Sequence, residues 1–178
     1  MTKILLTIMM ILLIGEPSLS SPSRRPSHQG RIIKLSPRKF ANLPEPIIRV
    51  LEARKCLIPQ IDYKTKEKIN VISGSFRTAG QKDWAVMCLR DGISSILVFW
   101  NGSPTSVAEV ARMKETCWRT LSVVGRQYIL EHYEAYKEAG APKPPPIDHE
   151  GIDDGFCEKA STVRYWYRGK WLDLQGAD

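Results

Sequence analysis

Residues 83–100 read DWAVMCLRDGISSILVFW, and this stretch carries the clearest fold signal in the chain. Apolar side chains fill every position of residues 84–89, so both faces of this segment are apolar, which predicts a central strand covered on each side. Asp91-Gly92 is a turn dipeptide, and residues 94–100 predict the returning strand of an antiparallel pair. Asn101-Gly102 then closes the unit with a second turn.

Further elements are predicted on both sides of this unit. A helix is expected to begin near Pro46, because proline is tolerated at the first helical position, and a second helix is expected over residues 126–139. Residues 107–113 fit either a helical turn or a short strand. Residues 69–75 predict another strand, and residues 161–167 and 170–174 predict a hairpin about Arg168-Gly169. Residues 56–61, which Pro59 interrupts, predict an extended segment at a sheet edge, and residues 117–124 fit a strand.

These elements predict a single globular α+β domain at residues 44–178, built on a mostly antiparallel twisted sheet with two or three helices packed on it. Residues 1–20 have the order of a secretory signal peptide. Lys3 precedes an apolar run that is too short to span a membrane, and Ser18 and Ser20 supply small residues before a cleavage point. No second apolar run of about 20 residues follows, so the chain is not expected to span a membrane after signal removal. Export to the periplasm or the extracellular space is therefore predicted.

The net charge of +7 is confined to one part of the sequence. Residues 21–55 hold nine basic residues against two acidic ones, while residues 56–178 are balanced. Residues 21–43 are also rich in Ser, Pro and Arg, which predicts a basic linker. Such a segment either rests on an anionic polymer or lipid surface, or is a solvated leader with no partner. Export disfavours nucleic acid as a partner.

The four cysteines are Cys56, Cys88, Cys117 and Cys157. An even number in an exported chain favours one or two disulfides, and three pairings are open. We favour Cys56 with Cys88 and Cys117 with Cys157, and buried free thiols are the alternative. No two cysteines have the spacing of a redox or structural zinc motif.

A degenerate repeat links two parts of the chain. Residues 80–84 read GQKDW and residues 151–155 read GIDDG, and each leads to a strand that ends in an aromatic pair followed by a turn with glycine, at residues 99–102 and 166–169. These motifs resemble the FG-GAP or VCBS-like repeats of uncharacterised bacterial secreted proteins. The resemblance implies a calcium-binding loop before the strand.

The second copy offers the better candidate for that loop. Asp148, Glu150 and Asp154 occupy the acidic positions around Gly151, and the resemblance implies that they are Ca²⁺ ligands. Oxygen side chains converging on one ion, with a glycine for the turn, is the chemistry that calcium needs. Residues 148–158 contain five acidic residues and no Lys or Arg, so their mutual repulsion favours either a shared cation or full solvation. An exposed turn whose Asp side chains cap backbone amides is the alternative.

The sequence contains no recognised catalytic motif. The favoured hypothesis is a secreted, non-catalytic binding module whose partner is a glycan, an envelope polymer or another protein, with Ca²⁺ as a stabilising ion. The alternative is a small secreted hydrolase or hydrolase inhibitor with a site around His149 and its neighbouring carboxylates, since such neighbours favour a charged imidazole. The aromatic residues 165–167 either pack within the sheet or offer a stacking surface for sugars.

Overall fold

The computed structural model describes residues 32–61, 68–157 and 160–178. Within these ranges the chain forms ten strands, all paired antiparallel, and two α-helices, which confirms a broadly α+β fold with mostly antiparallel strands. The predicted signal peptide lies outside the described residues. The elements are β1 (Ile32–Leu35), α1 (Glu45–Ala53), β2 (Ile58–Ile61), β3 (Val71–Gly74), β4 (Asp83–Arg90), β5 (Ile93–Phe99), β6 (Val107–Lys114), β7 (Arg119–Val124), α2 (Arg126–Tyr136), β8 (Gly151–Phe156), β9 (Ala160–Tyr167) and β10 (Lys170–Gln175).

The strands do not form the one sheet that the sequence suggested. The first sheet has the order β3-β4-β5-β6, and the second sheet has the order β10-β9-β8-β7. β1 and β2 form a separate two-stranded ribbon. Two sheets arise because β4 and β5 are apolar on both faces. An apolar face must be buried against another layer, and the second sheet supplies that layer for one of the two faces.

Three buried clusters show how the layers are stacked. Ile47, Ile48 and Leu51 of α1 pack on one face of the first sheet, against Val86 and Leu97. The opposite face packs on the inner face of the second sheet, whose contributions include Leu121 and Ile152. The outer face of the second sheet packs against α2 through Ile129, together with Val163 and Tyr165. The order of layers is therefore α1, first sheet, second sheet, α2.

The domain begins earlier than the boundary predicted at residue 44. β1 lies inside the predicted linker of residues 21–43 and pairs with β2 from Ile32 opposite Ile61 to Leu35 opposite Ile58. Phe40 and Leu43 are buried in the same cluster as α1. The few apolar residues of this segment stand among many basic, serine and proline residues. A prediction from composition therefore took a folded segment for a linker.

Both favoured disulfides are present. Cys56–Cys88 ties the segment after α1 to β4, and Cys117–Cys157 ties the start of β7 to the end of β8. Two disulfides are consistent with an oxidising compartment. Among the residues described, no helix combines the length and the apolar character that crossing a membrane requires.

Candidate functional site

Asp154, one of the three predicted calcium ligands, lies within a strand rather than in a loop. β8 begins at Gly151, and Asp154 points from it toward the first sheet. Its Oδ1 accepts a hydrogen bond from Arg119 Nε at 3.0 Å, and its Oδ2 accepts from Arg119 Nη2 at 2.6 Å. Arg164 Nη2 also donates to Oδ2 at 2.9 Å. Both carboxylate oxygens are thus occupied by guanidinium groups.

This ionic cluster connects the two sheets. The side chains of Arg119 and Asp154 are only 3% and 1% exposed. Arg119 Nη1 also donates a hydrogen bond, 2.8 Å long, to Oγ of Ser94, which belongs to β5 on the other side of the interface. Burial opposes the charge of Arg164, but hydrogen bonds to Asp173 and Asp154 outweigh it and raise its pKa. A buried charge needs such complete pairing because an unpaired one is costly. The cluster has a structural role.

The other two predicted ligands point elsewhere. Glu150 Oε2 accepts a hydrogen bond from the Ser75 backbone amide at 2.7 Å, which holds the loop after β3. The Asp148 carboxylate is 80% exposed and lies 3.2 Å from the Tyr165 hydroxyl. Across the described ranges, no three acidic, histidine or cysteine side chains converge as a metal site would require. The structure does not bring Asp148, Glu150 and Asp154 together, and Ca²⁺ binding stays a prediction that thermal melting with millimolar Ca²⁺ tests.

His149, the centre of the hydrolase hypothesis, is packed into the fold. Its side chain is 5% exposed and its ring stacks on Tyr165 with the ring centres 4.3 Å apart. Its Nδ1 lies 2.9 Å from the Glu150 carbonyl oxygen and its Nε2 lies 2.9 Å from that of Trp166. Burial also raises the pKa of the hydroxyl of Tyr165, the residue on which His149 stacks. Both ring nitrogens face backbone, so this geometry gives His149 a packing role, and the hydrolase alternative stays a prediction.

The aromatic residues 165–167 alternate between the two faces of β9. Tyr165 is fully buried on the α2 side, while Trp166 points to the inner face. There it meets Trp100 at 5.3 Å and Trp171 at 5.6 Å between ring centres, and Arg77 lies over the Trp100 and Trp166 rings. The three indoles mainly seal the interface between the sheets, as expected of packing aromatics.

A small cleft of about 80 Å³ lies on the face of the first sheet that α1 covers, and we name it the arginine cleft. α1 ends at Ala53, and the disulfide Cys56–Cys88 fixes the chain beside it, so the cleft opens where the helix ends. Three arginines from three separate elements surround this opening: Arg54 after α1, Arg90 at the end of β4 and Arg112 in β6. The remaining lining residues are Cys88, Asp91, Ile93, Ser95, Leu97 and Glu109.

A β-bulge turns Arg112 toward this cleft. Ser94 pairs with Met113 and Ile96 pairs with Val110, so Ala111 and Arg112 together stand opposite Ser95. Ala111 has a positive φ of 51°, which is unfavourable for a residue with a Cβ. Its carbonyl oxygen accepts a hydrogen bond from the buried Arg119 at 3.1 Å, and this contact supports the strained turn. Bulges of this kind redirect side chains next to functional sites.

The guanidinium groups of the arginine cleft are weakly paired. Arg90 Nε lies 3.8 Å from Asp91 Oδ2, and Arg112 Nη1 lies 3.9 Å from Glu109 Oε1, both beyond hydrogen-bond distance. Within the described part of the chain, no carboxylate forms an ion pair with Arg54. Guanidinium donors present a planar fork that matches carboxylate, sulfate and phosphate groups. The arrangement can therefore bind an anionic group.

Sequence reasoning missed this cleft because its arginines are far apart along the chain. One local signal was present: Arg90 directly precedes the Asp91-Gly92 turn, which places a cation at the end of the central hairpin. Arg54 was counted within the basic segment of residues 21–55, yet its place beside β4 depends on the packing of α1. Comparison with protein-family models, with curated proteins and with solved structures returned no match to this chain.

Proposed function

We propose that the protein is a secreted, non-catalytic binding module that holds the anionic groups of an acidic polysaccharide in the arginine cleft. The observation that carries the proposal is the convergence of Arg54, Arg90 and Arg112 on one opening, where the described residues leave their donors largely unused. The two disulfides and the predicted signal peptide support an extracytoplasmic location, where acidic polysaccharides are abundant partners and nucleic acids are not.

The charge distribution of the sequence fits the same partner. The basic segment of residues 21–55 contains α1 and the residues before it. Arg54, near the end of this segment, lines the arginine cleft. Ile93, a partly exposed residue of the lining, offers apolar contact for a sugar unit whose anionic group enters the cleft.

Binding to dextran sulfate, with neutral dextran as the uncharged counterpart, tests the proposal. The mature chain is expected to bind dextran sulfate on a biosensor surface and not neutral dextran, and the affinity should fall steeply with added salt because exposed charges are screened. The triple variant R54Q/R90Q/R112Q should bind at least about tenfold more weakly, since charge-assisted hydrogen bonds are lost at three positions.

A second triple variant separates the cleft from net charge. R126Q/K143Q/K170Q removes the same charge at three exposed positions on or beside the second sheet. It should retain most of the affinity, with a loss of less than about threefold at equal ionic strength. Equal losses in the two triple variants, both with an unchanged melting temperature, would show that charge alone drives binding and would contradict the proposal.

A further inference from the structure

The size of the arginine cleft limits what can enter it. Its volume is about 80 Å³, whereas a site that encloses a whole small molecule measures about 300 to 1,000 Å³. The cleft therefore has room for one charged substituent of a polymer, and the sugar ring that carries this substituent stays outside. Which substituent fits depends on how the three guanidinium groups surround the space.

The three arginines reach the cleft from different sides of the first sheet. Arg54 lies two residues before Cys56, and Arg90 lies two residues after Cys88. The disulfide between these cysteines holds their Cα atoms 5.0 Å apart, so it fixes the two arginine-bearing segments beside each other. Arg112 comes from the bulge of β6, and β5 separates β6 from β4. The cleft is therefore flanked by donors on two sides, each held by a constrained backbone.

Donors on two sides suit an anion whose oxygens point in several directions. A carboxylate has two oxygens in one plane, and a single guanidinium fork can occupy both of them. Arg119 does so in this protein, because it donates to Oδ1 and to Oδ2 of Asp154. A sulfate or phosphate ester has terminal oxygens arranged around a central atom, so it can accept hydrogen bonds from several sides at once. The arrangement of the cleft therefore favours a tetrahedral group over a planar one.

The charges around the cleft favour a group with a single negative charge. Among the described residues, the lining holds three arginines and two carboxylates, Asp91 and Glu109, which leaves one net positive charge. A sulfate ester carries one negative charge, whereas a phosphate monoester carries about −1.5 to −2 at pH 7. The additional charge of the phosphate would face the two carboxylates without a matching cation. The charge balance therefore favours the sulfate ester.

We propose that the arginine cleft holds a sulfate ester, so that the partner is a sulfated polysaccharide and not a polymer of uronic acids or of sugar phosphates. The inference rests on the function proposed above and names the anionic group that this site takes. Arg54 and Arg90 donate to the sulfate oxygens from the β4 side, and Arg112 donates from the β6 side. The sugar ring that carries the sulfate contacts the partly exposed Ile93.

Three dextrans that differ only in their anionic group test this inference on a biosensor surface. They are dextran sulfate, carboxymethyl dextran and dextran phosphate, matched in chain length and in the number of groups per glucose unit. At equal ionic strength the disulfide-bonded chain should bind dextran sulfate at least about tenfold more tightly than either of the others. Equal affinity for the three, or tighter binding of another dextran, overturns the choice of a sulfate ester and leaves the proposed function intact. Failure to bind any of them overturns the proposed function as well.

Two variants decide whether the preference arises in the cleft. Arg112→Gln removes the donors on the β6 side, so dextran sulfate should lose most of its advantage and bind less than about threefold more tightly than carboxymethyl dextran. The Arg112 side chain is 61% exposed, so the variant should melt at the wild-type temperature. Arg126→Gln removes the same charge at an exposed position at the start of α2 and should leave the preference intact. A preference that persists in Arg112→Gln, or one that Arg126→Gln reduces equally, overturns the inference.

Discussion

Asp153 and Asp154 are neighbours in β8, but their side chains lie on opposite faces of the second sheet. Their electrostatic surroundings also differ. Asp154 faces the first sheet and is bound by Arg119 and Arg164 through both of its oxygens. Asp153 faces the α2 side, where its Oδ1 has no hydrogen-bond partner among the described residues. The comparison teaches that the inner face uses its carboxylate to join two sheets, while the carboxylate on the outer face lies beside the Ser161 and Tyr128 hydroxyls and forms no ion pair within the described ranges.

The largest effect is expected from Asp154→Ala. The substitution leaves the buried Arg119 without its carboxylate, and breaking one partner of a buried ion pair lowers the free energy of unfolding by about 3 to 5 kcal/mol. Urea denaturation of the oxidised protein measures this change. Asp173→Ala is the matched control, because Asp173 pairs with the same Arg164 but is 68% exposed, and a surface pair contributes less than about 1 kcal/mol. Similar losses in the two variants would show that Asp154 has no special role between the sheets.

A smaller loss is expected from Ile129→Ala, on the outer face. Ile129 is buried against Val163 and is the one fully buried residue of α2. Truncating a buried isoleucine lowers the free energy of unfolding by about 2 to 5 kcal/mol, and a position beside a cleft that can relax belongs at the lower end. Gln127→Ala, at an exposed position two residues before Ile129 in α2, removes only a surface hydrogen bond to Glu131 and should change it by less than about 0.5 kcal/mol. If Ile129→Ala costs no more than Gln127→Ala, α2 does not anchor the outer face.

The sequence predicted the elements well where the signal is local. The hairpin of β4 and β5, the hairpin of β9 and β10, both helices and the favoured disulfide pairing were all recovered within a few residues of the observed bounds. These elements depend on apolar periodicity and on turn residues, which a single sequence displays. β1 was not predicted, because its four residues, among basic and proline-rich neighbours, are too few to show a strand pattern.

The roles of the site residues could not be predicted in the same way. Arg119 and Asp154 lie 35 positions apart, and nothing near either residue indicates that they meet. The acidic residues 148–154 were interpreted as one loop because they are close in sequence. Successive side chains of a strand point to opposite faces of the sheet, so Asp153 and Asp154 of β8 lie on opposite faces. Two residues that are adjacent in sequence therefore have different roles. The arginine cleft likewise depends on how α1, β4 and β6 pack.

The smallest effect, and one of opposite sign, is expected from Asp153→Asn. Because burial raises the pKa of Asp153 above its ordinary 3.8, the folded protein binds this proton more tightly than the unfolded chain does. The stabilising contribution of the proton is complete below pH 3.8 and is lost as the pH rises through the higher value in the folded state. At neutral pH the wild type therefore holds a poorly compensated carboxylate, and Asp153→Asn should raise the free energy of unfolding by about 1 kcal/mol, or Tm by roughly 3 °C. The gain should shrink toward zero as the pH falls to about 3.5, where both proteins are neutral at this position. Scanning calorimetry across this range measures the difference, with Asp148→Asn, at a position whose side chain is 80% exposed, as the control. A variant that melts below the wild type at pH 7 would mean that the Asp153 carboxylate already has a stabilising partner, and the contrast between the two faces of β8 would then be lost.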